Sequence, residues 1–178
     1  MSRLNAINSA KRETAEESAL TAQKNIVLFV CTGNTCRSPM AQALFNKKAE
    51  TMPGERWYAR SAGVAAKAGS AASEHVVNLL ADQGIALKDH LAKQLSREMM
   101  SEATVVITMN SVQRDLLLLY FPEYEEKIFS IADYTGSGED VADPYGGDEE
   151  DYAKTLGQLT ELIDKIFDRL LSKDLYID

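Results

Sequence analysis

Cysteine is scarce in this chain, and its scarcity limits the classes of protein to consider. Only two cysteines, Cys31 and Cys36, occur among 178 residues. A pair this close in sequence cannot form the disulfide framework of a small secreted protein. The chain also lacks an apolar run of membrane-spanning length and the apolar core of a signal peptide. These absences predict a globular protein of the cytoplasm.

Positive charge is also in short supply. The chain has 19 lysines and arginines against 27 acidic residues, a formal net charge of −8. Nucleic acids and anionic membranes attract basic surfaces, so we expect neither as a partner. If the ligand is an anion, its pocket must be locally basic or lined by N–H groups.

Strand and helix patterns alternate along the chain. Apolar and β-branched runs typical of buried parallel strands occupy residues 25–30, 56–61, 104–109 and 127–132. Amphipathic segments separate these runs, and a long one closes the pattern at 149–171. The alternation predicts an α/β fold, an open four-stranded parallel sheet with helices on both faces in three layers. Ligands of such sheets bind at the carboxyl ends of the strands.

The domain is predicted to span residues 25–178. Residues 1–24 differ from it, because they are rich in Ala, Ser and Glu and contain few large apolar side chains. Their apolar stripe is too thin to anchor a helix firmly. We expect a loose or partly helical N-terminal extension.

The most informative stretch joins the first strand to the first helix and reads CTGNTCRSP from Cys31. Ser38 is expected to cap the helix, with Pro39 at its first position. Gly33 is expected to take a positive φ, so that the N–H groups of Thr32 to Arg37 turn inward. A concave cluster of donors at a helix N-terminus suits a phosphate dianion.

The residues that flank this loop suggest covalent chemistry. A cysteine beside a helix N-terminus and an arginine is favoured as a nucleophilic thiolate, which assigns that role to Cys31. The planar guanidinium of Arg37 can hold two phosphoryl oxygens as charge shifts in the transition state. Taken singly, a buried cysteine and a capped helix that carries an arginine are ordinary structural features. Their combination in one run favours a phosphate-binding loop.

A second segment, residues 134–150, is rich in glycine and aspartate and contains the run DPYGG from Asp143. It could be a solvated acidic loop or a weak cation site, although its carboxylate spacing does not fit a calcium loop. Displacement of a leaving group from phosphorus needs a proton donor on the side opposite the cradle. Asp143 is the candidate for that general acid.

Together the two motifs resemble those of the low-molecular-weight protein tyrosine phosphatases. Thr35 and the DPYGG run are most similar to the protein arginine phosphatase branch of that family. The resemblance covers residues 25–171. It implies that Cys31 is the nucleophile, that Arg37 binds the phosphate and that Asp143 is the general acid. Tyr145 is expected to form one wall of the pocket.

The resemblance also implies supporting roles around the loop. Substrate binding is assigned to Thr32, Gly33, Asn34, Thr35, Cys36, Ser38 and Tyr145. The strained shape of the loop would be held by Asn34, Ser38, Ser61 and His90. A reversible disulfide between Cys31 and Cys36 would protect the nucleophile from over-oxidation. No metal or cofactor is expected, because amides and a guanidinium supply the positive field. The expected partners are phosphorylated proteins, and a monomer is favoured over an oligomer.

The substrate is predicted from one loop position and one missing side chain. In the tyrosine phosphatases of this family, a larger aliphatic residue usually stands where this chain has Thr35. The loop that often supplies their aromatic wall has no aromatic residue here between Gly63 and Ser73. We therefore predict a protein arginine phosphatase, with a tyrosine phosphatase as the alternative.

Three other functions fit the sequence less well. Thioredoxin-coupled arsenate reductases share this loop but need two further cysteines downstream, and none follows Cys36. A phosphate-binding module without catalysis is expected to lack the cysteine, the arginine or the acid. A Walker nucleotide site needs a Gly-Lys-Ser/Thr run after a glycine loop, and this chain has none.

Overall fold

The structure is a computed structural model that describes residues 25–51, 57–87 and 89–174, with side chains as far as Ser172. The N-terminal extension predicted at 1–24 lies outside these residues. Within the described ranges, no helix combines the length and the apolar character needed to cross a membrane.

Strands and helices alternate along the described chain. The strands are β1 (Asn25–Cys31), β2 (Trp57–Gly63), β3 (Val105–Thr108) and β4 (Ile128–Ser130). The helices are α1 (Arg37–Ala49), α2 (Glu74–Asp82), α3 (Arg97–Glu102), α4 (Ser111–Tyr120), α5 (Ile131–Thr135) and α6 (Glu149–Asp174), and a 3-10 segment (Pro122–Lys127) precedes β4.

The fourth strand is shorter than the sequence pattern predicts. The run 127–132 was expected to be extended throughout, but β4 ends at Ser130. The Ser130 hydroxyl accepts a hydrogen bond from the main-chain N–H of Asp133 and so caps α5. A helix therefore replaces the last residues of the apolar run, because the cap satisfies a free donor of its first turn.

The sheet is parallel, with the strand order β2-β1-β3-β4. This arrangement confirms the predicted α/β fold and its four-stranded sheet. The chain leaves β1 towards β2 on one side and later returns to β3 on the other. The carboxyl end of β1 is therefore the point where the direction of winding changes, and ligands of open α/β sheets bind at such points.

Alternate residues of β1 face opposite layers, which confirms the predicted three-layer arrangement. Val27 and Phe29 belong to the larger core, which α1 and α6 cover. Leu28 and Val30 belong to the smaller core, with Met100 of α3 and Leu117 of α4 among its buried members. Successive side chains of a strand point to opposite faces, so β1 contributes to both cores.

Helix α6 contacts the larger core as its apolar stripe predicts. The stripe residues are all buried: Tyr152, Leu156, Leu159, Leu162, Ile163, Ile166 and Leu170. Phe167 stacks on Phe45 of α1 with ring centroids 4.3 Å apart, and Phe45 meets Phe29 edge to face at 5.9 Å. These three rings join the sheet, α1 and α6, and α1 is the helix that follows the cysteine loop.

Replacing the central ring tests this packing. Phe45→Ala is expected to lower the free energy of unfolding by about 3–5 kcal/mol, because it removes a fully buried ring and leaves a cavity. Leu171→Ala, at a partly exposed position of α6, is the control and should cost less than about 1 kcal/mol. Urea unfolding of both variants measures the difference, and equal losses would contradict the assignment of Phe45 to the core.

Candidate active site

The loop between β1 and α1 differs from the prediction at its helical end. Helix α1 begins at Arg37, and Cys36 occupies the capping position, but its side chain makes no capping hydrogen bond to the first turn. Ser38 and Pro39 are therefore the second and third helical residues, and the predicted cap at Ser38 is wrong. Pro39 is tolerated there because N–H groups of the first turn have no partner within the helix.

The left-handed residue of the loop is Asn34, with φ at 55°, and not Gly33 as predicted. Asparagine adopts this region more readily than most residues other than glycine. A Cβ added to Gly33 would meet its nearest neighbour, Thr35 Oγ1, at an ordinary 3.6 Å. The sharp turn of the loop thus depends on an asparagine that is itself held in place.

Asn34 is held by hydrogen bonds from three other segments. Its Nδ2 donates to Ser38 Oγ and to Ser61 Oγ, both at 2.9 Å. Its Oδ1 accepts from the main-chain N–H of Lys93 at 2.8 Å, and its carbonyl oxygen lies 2.8 Å from His90 Nε2. The structure therefore joins the four residues that were predicted to support the loop, and it adds the backbone of Lys93.

His90 takes part through one ring nitrogen. Because the carbonyl of Asn34 can only accept, Nε2 must carry the hydrogen of this bond. Burial lowers the pKa of His90, the bond to Asn34 opposes that effect, and the nearby charge of Lys93 adds to the lowering. His90 lies behind the loop and does not line the cavity described below.

The sulfur of Cys31 lies between two possible donors. Asn34 N–H donates to it at 3.2 Å, and Ser38 Oγ lies 2.9 Å from it. Ser38 Oγ accepts from the side-chain Nδ2 of Asn34, so its own hydrogen is free to point at the sulfur. The other acceptor within reach of this hydrogen, the carbonyl oxygen of Ala62, is farther away at 3.4 Å. Both groups can therefore donate a hydrogen bond to the sulfur. Cys31 and Cys36 are free thiols in this structure, and their disulfide stays a prediction.

Arg37 is buried and only partly satisfied. Its Nη1 donates to the carbonyl oxygen of Val141 at 3.2 Å, and its Nη2 contacts Asp143 Oδ2 at 2.5 Å. Among the described residues, its Nε is a buried side-chain nitrogen without a hydrogen-bond partner. A buried donor without a partner lowers the stability of the fold, so a bound acceptor such as a phosphoryl oxygen would be stabilised by this nitrogen.

Backbone and side-chain contacts hold the acidic loop over the arginine. Val141 N–H donates to Met109 O at 2.9 Å, just beyond the end of β3. The Asp140 carboxylate accepts from Ser111 N–H at 3.1 Å, at the positive N-terminus of α4. The Asp143 carboxylate accepts from the main-chain N–H of Tyr145 at 3.3 Å, and its side chain is about half exposed to solvent.

These segments enclose a cavity of about 390 Å³, lined by Cys31, Thr32, Gly33, Thr35, Cys36, Arg37, Ala65, Lys67, Ser70, Asp143 and Tyr145. Tyr145 is 79% exposed and lies at the rim. Asn34, Ser38 and Ser61 are buried behind the loop, so their side chains support it from the far side.

Sequence reasoning missed several contributors to this site. Lys67 lines the cavity, Asp140 anchors the acidic loop, and Gln113 of α4 donates to Thr32 Oγ1 at 3.0 Å. Lys67 could have been suspected as the one charged residue in a loop of small residues. No local pattern identifies Gln113, because its partner lies 81 positions away in sequence.

The arrangement of a β1–loop–α1 cradle beneath an acidic loop defines a class of phosphatase. Residues 26–175 match the family model described as low molecular weight phosphotyrosine protein phosphatase. The chain belongs to this family.

Within the family, curated relatives of two kinds are similar to this chain. A protein-arginine-phosphatase of Bacillus subtilis is 41% identical over 81% of this chain and 95% of its own length. The protein-arginine-phosphatase of Geobacillus stearothermophilus is 42% identical over the same shares. The low molecular weight protein-tyrosine-phosphatase PtpB of Staphylococcus aureus is 33% identical over 80% of this chain and 96% of its own length.

Solved structures show the same division. The YwlE arginine phosphatase from Geobacillus stearothermophilus superposes with a TM-score of 0.79 at 40% identity, covering 86% of this chain and 97% of its own. A low molecular weight protein tyrosine phosphatase from T. tengcongensis also gives a TM-score of 0.79, at 45% identity, covering 82% of this chain and 99% of its own.

Substitutions at the two central loop positions test which residue sustains the turn. Asn34→Ala is expected to lower the free energy of unfolding by more than about 2 kcal/mol, for two reasons. It removes buried hydrogen bonds, and it places at a positive φ an alanine, which adopts that conformation less readily than asparagine does. Gly33→Ala should change it by less than about 1 kcal/mol, because the added carbon meets no close atom. Asn34→Gly separates the causes, since it relieves the backbone but not the lost bonds. Chemical unfolding measures all three, and a larger loss for Gly33→Ala than for Asn34→Ala would contradict this account.

Proposed function

We propose that this chain is a protein arginine phosphatase that works through a phosphocysteine on Cys31. The observation that carries the proposal is the convergence of Cys31, Arg37 and Asp143 on one cavity, although Asp143 is more than 100 positions from the other two. The cavity combines a sulfur that receives hydrogen bonds, a buried guanidinium with an unused donor, and a carboxyl group. Nucleophilic displacement at phosphorus needs these three parts.

In the first step, the Cys31 thiolate attacks phosphorus as the bond from phosphorus to the guanidino nitrogen breaks. The electron pair of that bond stays on the nitrogen, which takes a proton from the Asp143 carboxyl group. In the second step, water attacks the phosphocysteine, gives a proton to the Asp143 carboxylate, and releases inorganic phosphate and the thiolate. The sum is phosphoarginine and water going to arginine and phosphate, with the enzyme unchanged.

Arg37 stabilises the phosphoryl oxygens in both steps. Its Nε is free to donate, whereas its Nη2 contacts Asp143 in this structure. A phosphoryl oxygen that takes Nη2 displaces the Asp143 carboxyl from the guanidinium, which leaves that carboxyl free to face the leaving nitrogen. The first step requires this carboxyl group in its protonated form.

The preference for arginine rests on Thr35 and on the shape of the wall opposite the acid. Thr35 lines the cavity, whose wall from residues 65 to 70 is formed by small or flexible side chains and has no aromatic ring. Once the proton has been transferred, the departing guanidinium can pair with the resulting Asp143 carboxylate through two parallel hydrogen bonds, which a phenol cannot do. The curated relatives at 41% and 42% identity are named as arginine phosphatases, which supports the same substrate.

A tyrosine phosphatase is the second candidate, because one side chain favours it. Tyr145 presents an exposed ring at the rim of the cavity, where it could stack on the ring of a phosphotyrosine. The solved structure at 45% identity carries the name of a tyrosine phosphatase.

Competition between two substrates tests the assignment. Peptides of one sequence that carry either phosphoarginine or phosphotyrosine are compared by kcat/KM. We expect the wild type to prefer phosphoarginine and Thr35→Ile to shift the ratio towards phosphotyrosine by about tenfold or more, the effect of a change in pocket shape by one or two methyl groups. Thr35→Val keeps the volume and removes the hydroxyl, so it shows which property matters. Cys31→Ser should turn over neither peptide, and a wild type that strongly prefers phosphotyrosine would make the second candidate correct.

Neutralising the acid tests its role. Asp143→Asn is expected to lower kcat on the peptides by about 10²- to 10⁴-fold, because the amide cannot deliver a proton. The rate of the first step should fall less with p-nitrophenyl phosphate, because its leaving group departs without a proton. Rapid-mixing measurement of nitrophenol release resolves that step. Glu139→Gln is the control, because Glu139 is an acidic residue of the same segment that does not line the cavity. This variant should leave both rates unchanged. Similar rates for Asp143→Asn and Glu139→Gln would remove Asp143 from the mechanism.

A further inference from the structure

Gln113 is a buried polar side chain near the nucleophile that the two chemical steps do not use. It is the third residue of α4 and is only 4% exposed. The Asn110 side chain caps this helix by accepting from the main-chain N–H of Gln113 at 2.8 Å. The cap fixes the start of α4, and so the position from which the Gln113 side chain reaches the loop.

The orientation of the Gln113 amide follows from its neighbours. Its Oε1 lies 3.1 Å from the N–H of Met109, a donor shared with the carbonyl oxygen of Val30 at 3.0 Å. The reversed amide would set its NH₂ group against that N–H, donor against donor. The Nε2 of Gln113 must therefore face the other way, where it lies 3.0 Å from Thr32 Oγ1.

This orientation fixes what the Thr32 hydroxyl can do. Because Thr32 Oγ1 accepts from Gln113, its own hydrogen lies outside that bond and remains available for donation. Within the part of the chain that the structure describes, this hydrogen has no hydrogen-bond acceptor. Thr32 is exposed, lines the cavity and directly follows Cys31 in sequence.

We propose that Gln113 is a positioning residue that sets the Thr32 hydroxyl as a donor to an oxygen of the phosphoryl group bound in the cavity. The inference rests on the proposed function of this cavity as a phosphate site. Thr32 thereby adds a neutral donor beside the nucleophile, and Arg37 supplies the charged donors from the start of α1. Gln113 does not touch the ligand and acts only through Thr32.

The position of α4 makes this link part of a larger support. Ser111, two residues before Gln113, donates to Asp140 and anchors the acidic loop. One helix N-terminus therefore holds both the nucleophile loop, through Thr32, and the acidic loop, through Asp140. Displacement of α4 would change both halves of the site together.

Calorimetric titration with inorganic phosphate tests the link without requiring turnover. Thr32→Val is expected to raise the Kd of phosphate about tenfold, the size of one hydrogen bond to a charged group. Thr32→Ser keeps the hydroxyl and should restore a Kd close to that of the wild type. Gln113→Leu should raise the Kd to a similar extent, and the double variant with Thr32→Val should be no weaker than either single variant. Gln83→Leu, at an exposed glutamine after α2, is the control.

A second glutamine variant separates positioning from packing. Gln113→Glu still accepts from Met109 N–H but cannot donate, so the Thr32 hydroxyl turns towards it and away from the ligand. Because its carboxylate also repels phosphate, the positioning share is the part of the rise in Kd that is not added again when Gln113→Glu is combined with Thr32→Val. We expect a melting temperature closer to that of the wild type than in Gln113→Leu. If Gln113→Leu does not fold, the Thr32 pair and Gln113→Glu carry the test.

The outcomes separate this inference from the proposed function. Three outcomes would each overturn the positioning role. They are an unchanged Kd in Thr32→Val, a Kd in Thr32→Ser as high as in Thr32→Val, and effects on the Kd that multiply in the double variant. A wild type that binds phosphate but hydrolyses neither phosphopeptide overturns the proposed function, while the Thr32 effect remains measurable. A wild type that binds no phosphate overturns both.

Discussion

The candidate site depends on one buried asparagine in a left-handed conformation. Asn34 turns the loop between β1 and α1 so that its own N–H faces the sulfur of Cys31. The conformation is unfavourable for most residues, and hydrogen bonds to Ser38, Ser61 and the backbone of Lys93 hold it. Those partners come from α1, β2 and the segment before α3, so the loop keeps its shape only when the sheet and its connections have formed.

A second constraint is electrostatic. The chain carries a net charge of −8, yet its candidate site centres on a buried guanidinium. Arg37 is balanced by the Asp143 carboxyl and by a backbone carbonyl, with one nitrogen left unused. An anion in the cavity would supply the missing acceptor and compete with Asp143 for the guanidinium. In the proposed mechanism, binding of the phosphoryl group and release of the Asp143 carboxyl from the guanidinium are thereby linked through Arg37.

Helix α4 connects these two constraints. Its N-terminus lies against the loop of β1 through Gln113 and against the acidic loop through Ser111. The relatives named as arginine and as tyrosine phosphatases share this fold, so the fold by itself does not set the substrate. In the proposed function, Thr35 favours phosphoarginine and Tyr145 favours phosphotyrosine, and both residues line the same cavity.

Sequence alone determined whatever depends on short separations. The period of the apolar residues predicts the strands and helices, and the spacing from Cys31 to Arg37 brings a thiol and a guanidinium to one helix N-terminus. Predictions from local preference were wrong where a distant partner had more influence. The left-handed residue of the turn is Asn34 and not Gly33, because three segments bind the Asn34 side chain. Ser38 contacts the sulfur of Cys31 and does not cap α1. The contacts of Arg37 with Asp143 and of Gln113 with Thr32 were decided by the tertiary structure alone. Their partners lie far apart in sequence, and only the parallel order of the strands brings their loops to the same edge of the sheet.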